Sequence, residues 1–429
     1  MNKGEIQQIG TGIPLVEKTV QIDLARLTAE IEELSVISDA APPAVTRVVF
    51  SERDREGRKW AKARFREAGL AIREDAVGNV FARWDGRDAT LTPLATGSHI
   101  DAIPYAGKYD GVVGVMGSLE AIRSLKRSGF VPRRSIELIQ FTAEEPTRFG
   151  IGCLGSRLMS GVLPVDGADE LRDAEGRTLR ELRNGLGFSG ELAGVRLEPG
   201  CYSAFVELHI EQGPILEREG IAIGAVAHIA APATLRIVFE GEGGHAGARL
   251  MPGRRDAFCA AAEAVLAVER AALSTGVVDT VGTVGTCEIY PGAINGIPSR
   301  VKIEADIRDI DGTRRDAVVE KVRAAIEEIA KRRNVAVSIE TLNSDPPAEC
   351  SMQIVEAIER ASEAEKLSVK RLVSRAYHDA LFMARLCPSA MIFIPCRDGV
   401  SHRPDEYSSP EAIDAGVRVL TRTLAELAS

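Results

Sequence analysis

The chain has 429 residues, of which 45% are hydrophobic and 27% charged. This is a globular composition, not that of a disordered chain. The net charge of −9 argues against a nucleic-acid or anionic-membrane binder, and the length predicts about two or three domains with ample core. The amino terminus lacks an apolar core followed by a small-residue cleavage site, and no run reaches the roughly 18 apolar residues of a membrane span, so neither a secretory leader nor a transmembrane helix is expected. Seven scattered cysteines, an odd number with no CxxC, point away from disulfides and thiolate zinc sites. They predict reduced, mostly buried thiols in a cytoplasmic protein.

In chain order, residues 21–36 and 51–69 have helical apolar spacing, 77–84 reads as a strand, and 92–100 as a buried strand. A helix with small apolar first turns is expected over 111–129. Strands are expected over 135–145 and 202–213, each running into polar residues. Late in the chain, 389–399 reads as a buried strand and 410–427 as an amphipathic helix. Apolar strands alternating with helices predict an α/β sheet covered on both faces. Between these halves the pattern changes. Strand 233–241, helix 256–273, strands 279–292 and 299–309, helix 314–333 and strand 335–343 make a β-α-β-β-α-β unit. The expected architecture is therefore a two-domain α/β chain with a mixed sheet flanked by helices. The first domain spans 1–226 and 344–429, and a ferredoxin-like βαββαβ domain over 227–343 is inserted into it.

The chemistry gathers at strand ends, where ligands bind in open α/β sheets. His99 and Asp101 end one strand, and Asp110 follows in a glycine-rich loop. Glu144 and Glu145 end a second strand; as an enclosed pair they need a cation or a proton, and one could ligate while the other stays a free base. His209, Glu211 and Gln212 end a third. The run Ser401-His402-Arg403-Pro404-Asp405-Glu406 follows a fourth. Each cluster alone has an inert reading, as a solvated strand end or a satisfied core histidine. Together they suit a pair of divalent ions such as Zn²⁺ or Mn²⁺, able to clamp and activate a water. The inserted unit adds His245 between glycines, Asn295 in a hairpin loop and Arg308 at a strand end. A neutral histidine with an asparagine can stabilise an oxyanion, and arginine can fork a carboxylate. A salt bridge of Arg308 to a neighbouring aspartate is the competing reading. His378 either orients site groups or is a bonded core histidine, and His228 has no polar motif around it. The spacing Gly111, Gly114, Gly117 is not a phosphate loop, because Asp110 interrupts it; small residues for close helix packing are expected.

The segments GSHIDAIPYAGKYDG, FTAEEPTRFG, ELHIEQGPILE, GGHAGARLMPGRRD, PGAINGIPS and SHRPDEY occur in this order. As a set they resemble the dinuclear-metal amidohydrolases of the aminoacylase and carboxypeptidase type. The resemblance is to the ureido-hydrolysing branch: N-carbamoyl-L-amino-acid hydrolases, allantoate amidohydrolases and ureidoglycolate amidohydrolases. It runs from about residue 20 to the end. It implies His99, Asp110 and His209 on one metal, and Asp110, Glu145 and His402 on the other, with Asp110 bridging. It implies Glu144 as general base, Asp101 supporting His99, and two Mn²⁺ or Zn²⁺ ions per subunit. Gln212, Asn295, Arg308, Tyr377 and His378 would bind substrate, and His245 would stabilise the oxyanion. It further implies a metallohydrolase whose catalytic domain is 1–226 with 344–429, whose inserted 227–343 is a lid and dimerisation domain, and which forms a homodimer in which lid residues complete the partner's site. Much of the branch has a glycine where Arg375 stands in SRAYHD; this form, with AAPAT and YDGVVGV, is most similar to ureidoglycolate amidohydrolases. The expected reaction is hydrolysis of (S)-ureidoglycolate to glyoxylate, ammonia and CO₂ in purine catabolism. N-carbamoyl-L-amino acids and allantoate are the alternative substrates, and a non-catalytic metal- or ligand-binding protein is the alternative of another class.

Overall fold

Strands rich in Val, Ile and Phe that are buried on both faces form the central sheet of the first unit. The structure, a computed structural model, describes residues 20–429. The expected lack of a leader falls mostly on residues 1–19, outside the described residues. Two helices open the described chain, α1 (Leu24–Ser35) and α2 (Glu52–Glu67). Both carry side-chain caps, Asp23 accepting from Arg26 N and Ser51 from Asp54 N. Then come β1 (Ala71–Glu74), β2 (Val80–Trp84), β3 (Leu94–His99), α3 (Val112–Arg127), β4 (Ile136–Phe141), β5 (Ala204–Ile210) and β6 (Ile223–Ile229). The inserted elements are β7 (Ala231–Glu240), α4 (Ala257–Leu273), β8 (Val281–Tyr290), β9 (Arg300–Asp309), α5 (Gly312–Arg333) and β10 (Ala336–Ser344). The chain ends with β11 (Ser389–Ile394) and α6 (Pro410–Leu427).

The chain divides into two compact units. One is the chain up to Ala225 with Gln353–Lys370 and Met391–Ser429; the other is Val226–Met352 with Arg371–Ala390. In the first unit the strand order runs β11-β5-β3-β4-β2-β1. β3 is parallel to both β4 and β5, while β2 is antiparallel to β4 and to β1. The sheet is therefore mixed. Register pairs His99 with Phe141, so the residues that follow β3 and β4 leave the sheet side by side at its carboxyl edge. Helix α3 packs on β3, β5 and α6. Its glycines allow the approach: a Cβ at Gly114 would lie 2.4 Å from the Leu208 carbonyl oxygen, and one at Gly117 2.7 Å from Leu208 Cδ2. The glycine spacing thus serves helix-to-strand packing.

In the second unit the four long strands run β8-β9-β7-β10, all antiparallel neighbours, which is the ferredoxin-like order. Strand β9 alternates buried and less buried positions, as a sheet covered on one face requires. Leu235, Ile237, Phe239, Val301, Ile303 and Ile307 meet Ala260, Ala264 and Val268 of α4 and Val322 and Ile326 of α5 in one core. Residues 344–352 and 371–390 cluster with this unit, beyond the expected insertion 227–343. Two contacts within the unit account for it. Ala348 and Glu349 pair with Ile229 and His228, and Arg308 holds Arg375. No helix among the described residues is long and apolar enough to cross a membrane.

Candidate functional site

The first unit gathers His99, Asp101, Asp110, Glu144, Glu145, His209, Gln212 and His402. Asp110 is the centre. Its Oδ1 lies 3.4 Å from His99 Nε2 and 3.3 Å from His209 Nε2, and its Oδ2 lies 3.6 Å from His402 Nε2. Glu145 Oε1 is 3.3 Å from His402 Nε2. Two of the three groups that could hold a cation among the described residues are His99-Asp110-His209 and Asp110-Glu145-His402, and in each the ligand atoms lie within 4.8 Å of one another. Asp110 belongs to both. Glu144 belongs to neither, and its Oε2 stands 3.6 Å from His99 Nε2.

Each side chain has a local reason for its place. Asp101 turns its carboxylate back to accept the amides of Glu144 (3.4 Å) and Glu145 (3.1 Å), which ties the end of β3 to the carboxylate pair after β4. Gly111, the N-cap of α3, has φ +65°. A Cβ there would sit 2.3 Å from His99 Nε2, so only glycine lets the loop pass the imidazole. Three other residues of the cluster or next to it take the left-handed region without being glycine: Ala143 (φ 54°), Gln212 (φ 54°) and His402 (φ 60°). Such strain persists where surrounding structure over-determines it, and it clusters at functional sites.

Proton placement fits metal binding. His99 Nδ1 faces the Asp101 carbonyl oxygen at 3.0 Å, and His209 Nδ1 faces that of Ile210 at 2.9 Å. A carbonyl only accepts, so each neutral ring carries its proton on Nδ1 and turns the Nε2 lone pair to Asp110. His99 Nε2 is buried and makes no hydrogen bond, an orphan that a cation would satisfy. Asp101, Asp110, Glu144, Glu145 and Glu406 are all buried, and so many enclosed carboxylates call for positive charge. Burial works to lower the His99 pKa, but Glu144, Asp110 and Asp101 outweigh it and hold the ring well above the usual histidine range. For Asp110, burial works upward, and His209 and His99 overcome it, leaving the carboxyl well below its usual range. Burial pushes Asp101 up to about 6. The hydrogen bond to Glu145 raises His402 to about 9.

The second unit holds most of the other expected residues in two places, His245 with Asn295 at one end of the β7–β9 pair and Arg308 with Tyr377 at the other. His245 and Asn295 are exposed neighbours: the short strand Gly244–His245 pairs with Gly296–Ile297, and the amide of Ala246 donates to the Asn295 carbonyl oxygen. His245 Nδ1 accepts from the amides of Gly247 (3.1 Å) and Ala248 (3.2 Å). The neutral ring therefore carries its proton on Nε2, as a donor. Arg308 grips Asp306 with Nε (2.7 Å) and Nη2 (3.1 Å), donates from Nη1 to the Arg375 carbonyl oxygen (3.1 Å), and lies over the Tyr377 ring. The salt-bridge reading of Arg308 is thus present. It leaves one hydrogen on each terminal nitrogen for a further acceptor. His378 is buried, with Nε2 3.1 Å from Ser374 Oγ. Arg375 donates to Asp279 at 2.6 Å.

Gln212 differs in emphasis from its expected substrate role, because its Nε2 donates to Asp110 Oδ2 at 2.5 Å. Sequence reasoning gave no role to Ser401, Glu406 or Cys153. Ser401 Oγ donates to Asp110 Oδ2 at 2.5 Å. Burial, with the charge of Asp110 adding to it, raises Glu406 to about 7. The Cys153 thiol donates to Glu144 Oε1 at 3.3 Å. Ser401 and Glu406 flank a ligand in SHRPDEY, which is a usable signal; Cys153 offered none.

Residues 95–426 match the family described as Peptidase family M20/M25/M40. A protein named ureidoglycolate hydrolase from Oryza sativa subsp. japonica is 53% identical over 95% of this chain and 85% of its own length. An N-carbamoyl-L-amino acid amidohydrolase from Geobacillus stearothermophilus is 39% identical over 94% of this chain and 98% of its own. Crystal structures of AtUAH, one in complex with glyoxylate and one with (S)-hydroxyglycine, each align with a TM-score of 0.89 at 52% identity. Each covers 95% of this chain and 98% of its own.

Proposed function

The chain belongs to peptidase family M20/M25/M40, and on that premise we propose that it hydrolyses the ureido group of (S)-ureidoglycolate to glyoxylate, ammonia and CO₂. It is a metal-dependent hydrolase. The observation that carries the reading is the buried Asp110, shared by two candidate ligand groups, with Glu144, a member of neither, beside them. The ureidoglycolate hydrolase relative and the two product-like ligands of AtUAH support the substrate. SRAYHD supports it too, against the glycine form of the motif.

In this reading, His99, Asp110 and His209 hold one divalent ion, and Asp110, Glu145 and His402 hold a second; Mn²⁺ is proposed, with Zn²⁺ as the alternative. When bound, the ions supply Lewis-acid polarisation and a lowered water pKa. Asp101 fixes the His99 ring and the Glu144 backbone. Glu144 takes the proton of water as its oxygen adds to the ureido carbon, then delivers that proton to the leaving nitrogen. His245 donates from Nε2 to the developing oxyanion. The two remaining N–H groups of Arg308 fork the substrate carboxylate, while Gln212, Asn295, Tyr377 and His378 place the ureido and hydroxyl groups. Carbamate loses CO₂, and the released hydroxyglycine collapses to glyoxylate and ammonia.

A homodimer in which His245 serves the partner's site is part of the proposal. Exposed apolar side chains support an interface on the second unit: Leu266 (52%) and Leu273 (74%) on α4, with Val281 and Tyr290 on the edge strand β8. Seven cysteines with no disulfide among the described residues support a reducing compartment such as the cytoplasm. The reading is tested with a panel of ureidoglycolate, allantoate, N-carbamoyl-L-amino acids and N-acyl amino acids on Mn²⁺-loaded protein. Ureidoglycolate should have the highest kcat/KM, with glyoxylate and ammonia as products. A higher value for an N-carbamoyl amino acid or allantoate would move the chain to that branch, and metal binding without hydrolysis of any would make it a binding protein.

A further inference from the structure

We infer that Glu406 is a positioning residue that fixes Asp110 for metal binding; the inference rests on the metal-centre reading above. Glu406 is 4% exposed. Its Oε1 accepts from the amides of Tyr109 (2.8 Å) and Asp110 (3.0 Å). Its Oε2 is 2.9 Å from Ser401 Oγ, which stands 2.5 Å from Asp110 Oδ2. Glu406 thus grips Asp110 through its amide, and the Ser401 hydroxyl, whose single hydrogen can go to either carboxylate, stands between the two side chains. Oε1 is engaged by the two amides, Oε2 lies against Ser401, and Glu406 is in neither ligand group. It therefore acts through Asp110 and does not bind the ion itself.

The surroundings are shaped for this grip. A Cβ at Gly107 would lie 2.4 Å from Glu406 Cβ and 2.5 Å from Oε1, so any other residue there displaces the carboxylate. The loop that carries Glu406 also carries His402, at a left-handed φ of 60°. Glu406 thereby joins the loop after β3 to the loop that delivers a ligand from far along the chain. Hydrogen bonds from amides to a carboxylate are charge-assisted and directional. They can hold Asp110 where both of its oxygens face histidines, at distances a cation can bridge.

The test is Mn²⁺ binding to the full chain by calorimetry and by metal content after dialysis. Outer partners of metal ligands typically matter by about 10–100-fold in affinity, and Glu406→Ala should weaken Mn²⁺ by that much. Glu406→Gln should lose less than about threefold, because its amide oxygen still accepts the two backbone N–H groups and its NH₂ can donate to Ser401. Ser401→Ala, which cuts only the side-chain link, should weaken Mn²⁺ by about tenfold and decides the matter if Glu406→Ala does not fold. At saturating Mn²⁺ the variants should recover kcat with KM unchanged. Wild-type affinity in folded Glu406→Ala or in Ser401→Ala overturns the inference, as does a Gln variant as defective as the Ala variant. If the wild-type protein itself fails to bind Mn²⁺, the metal-centre reading falls instead.

Discussion

Asp110 meets burial, which favours its neutral form, and two imidazoles, which favour its charged form; the imidazoles win. The same contest sets the pH behaviour of the metal-free site. His99, His209 and His402 are all raised, His402 to about 9, so His402 holds its proton near neutrality and must release it to bind a cation. Mn²⁺ affinity should therefore rise with pH from about 6.5 and level off near 9, with protons released to the buffer, as calorimetry in two buffers of different ionisation enthalpy would show. Binding that is flat in pH with no proton release contradicts this. The sign for stability is opposite. A raised His402 favours the metal-free fold fully below about 6.5, and that contribution is lost as pH rises through about 9. Glu144→Gln should keep its metal while kcat falls by about 10²–10⁴, read as metal content beside turnover. The clustering of the proposed ligands was legible in the sequence because they sit at or just beyond strand ends, amid glycines or a second carboxylate. Glu406 was not, since a carboxylate in a polar run reads as solvated until the amides of Tyr109 and Asp110 are seen against it. The acid partner of Arg308 was legible, only two residues away on the same strand.

The elements that carry these residues follow from local pattern. Helix α6 matches its sequence bounds, and the six elements of the insertion have the expected order, because 3.6-residue and two-residue periodicities are strong there. Residues 150–200 resisted such reading: their helices, Leu154–Ser160 and Leu179–Gly185, are too short to show a period. The connection from β3 to α3 is where element and site meet. Gly111→Ala puts a Cβ within 2.3 Å of His99 Nε2 at φ +65°. It should leave the sheet folded but impair loading, so that Mn²⁺ stoichiometry drops while the circular dichroism spectrum holds. Normal stoichiometry would show that this loop can move aside. The strain expected for a non-glycine residue here is about 1–3 kcal/mol, affordable for the fold and not for a ligand cluster.

At the scale of the whole molecule, the proposed metal ligands lie in one unit and His245, Asn295 and Arg308 in the other. The insertion was legible because a complete β-α-β-β-α-β pattern interrupts an α/β one. The association of 371–390 with it was not, since nothing local in a short segment says which core it joins. If His245 serves the partner's site, neither Glu144→Gln nor His245→Ala homodimers should turn over well, but mixing them after dissociation should restore about a quarter of wild-type activity, one intact site in each heterodimer of a random mixture. Activity no higher than the parents would place His245 in its own subunit's site. The most direct measurement is the release of glyoxylate and ammonia from (S)-ureidoglycolate by protein stripped of metal with a chelator and then reloaded with Mn²⁺. The stripped protein should be inactive and the reloaded protein should produce both products, with Glu144→Gln inactive at equal metal content. Equal turnover by stripped and reloaded protein, or full activity of Glu144→Gln, would contradict the account.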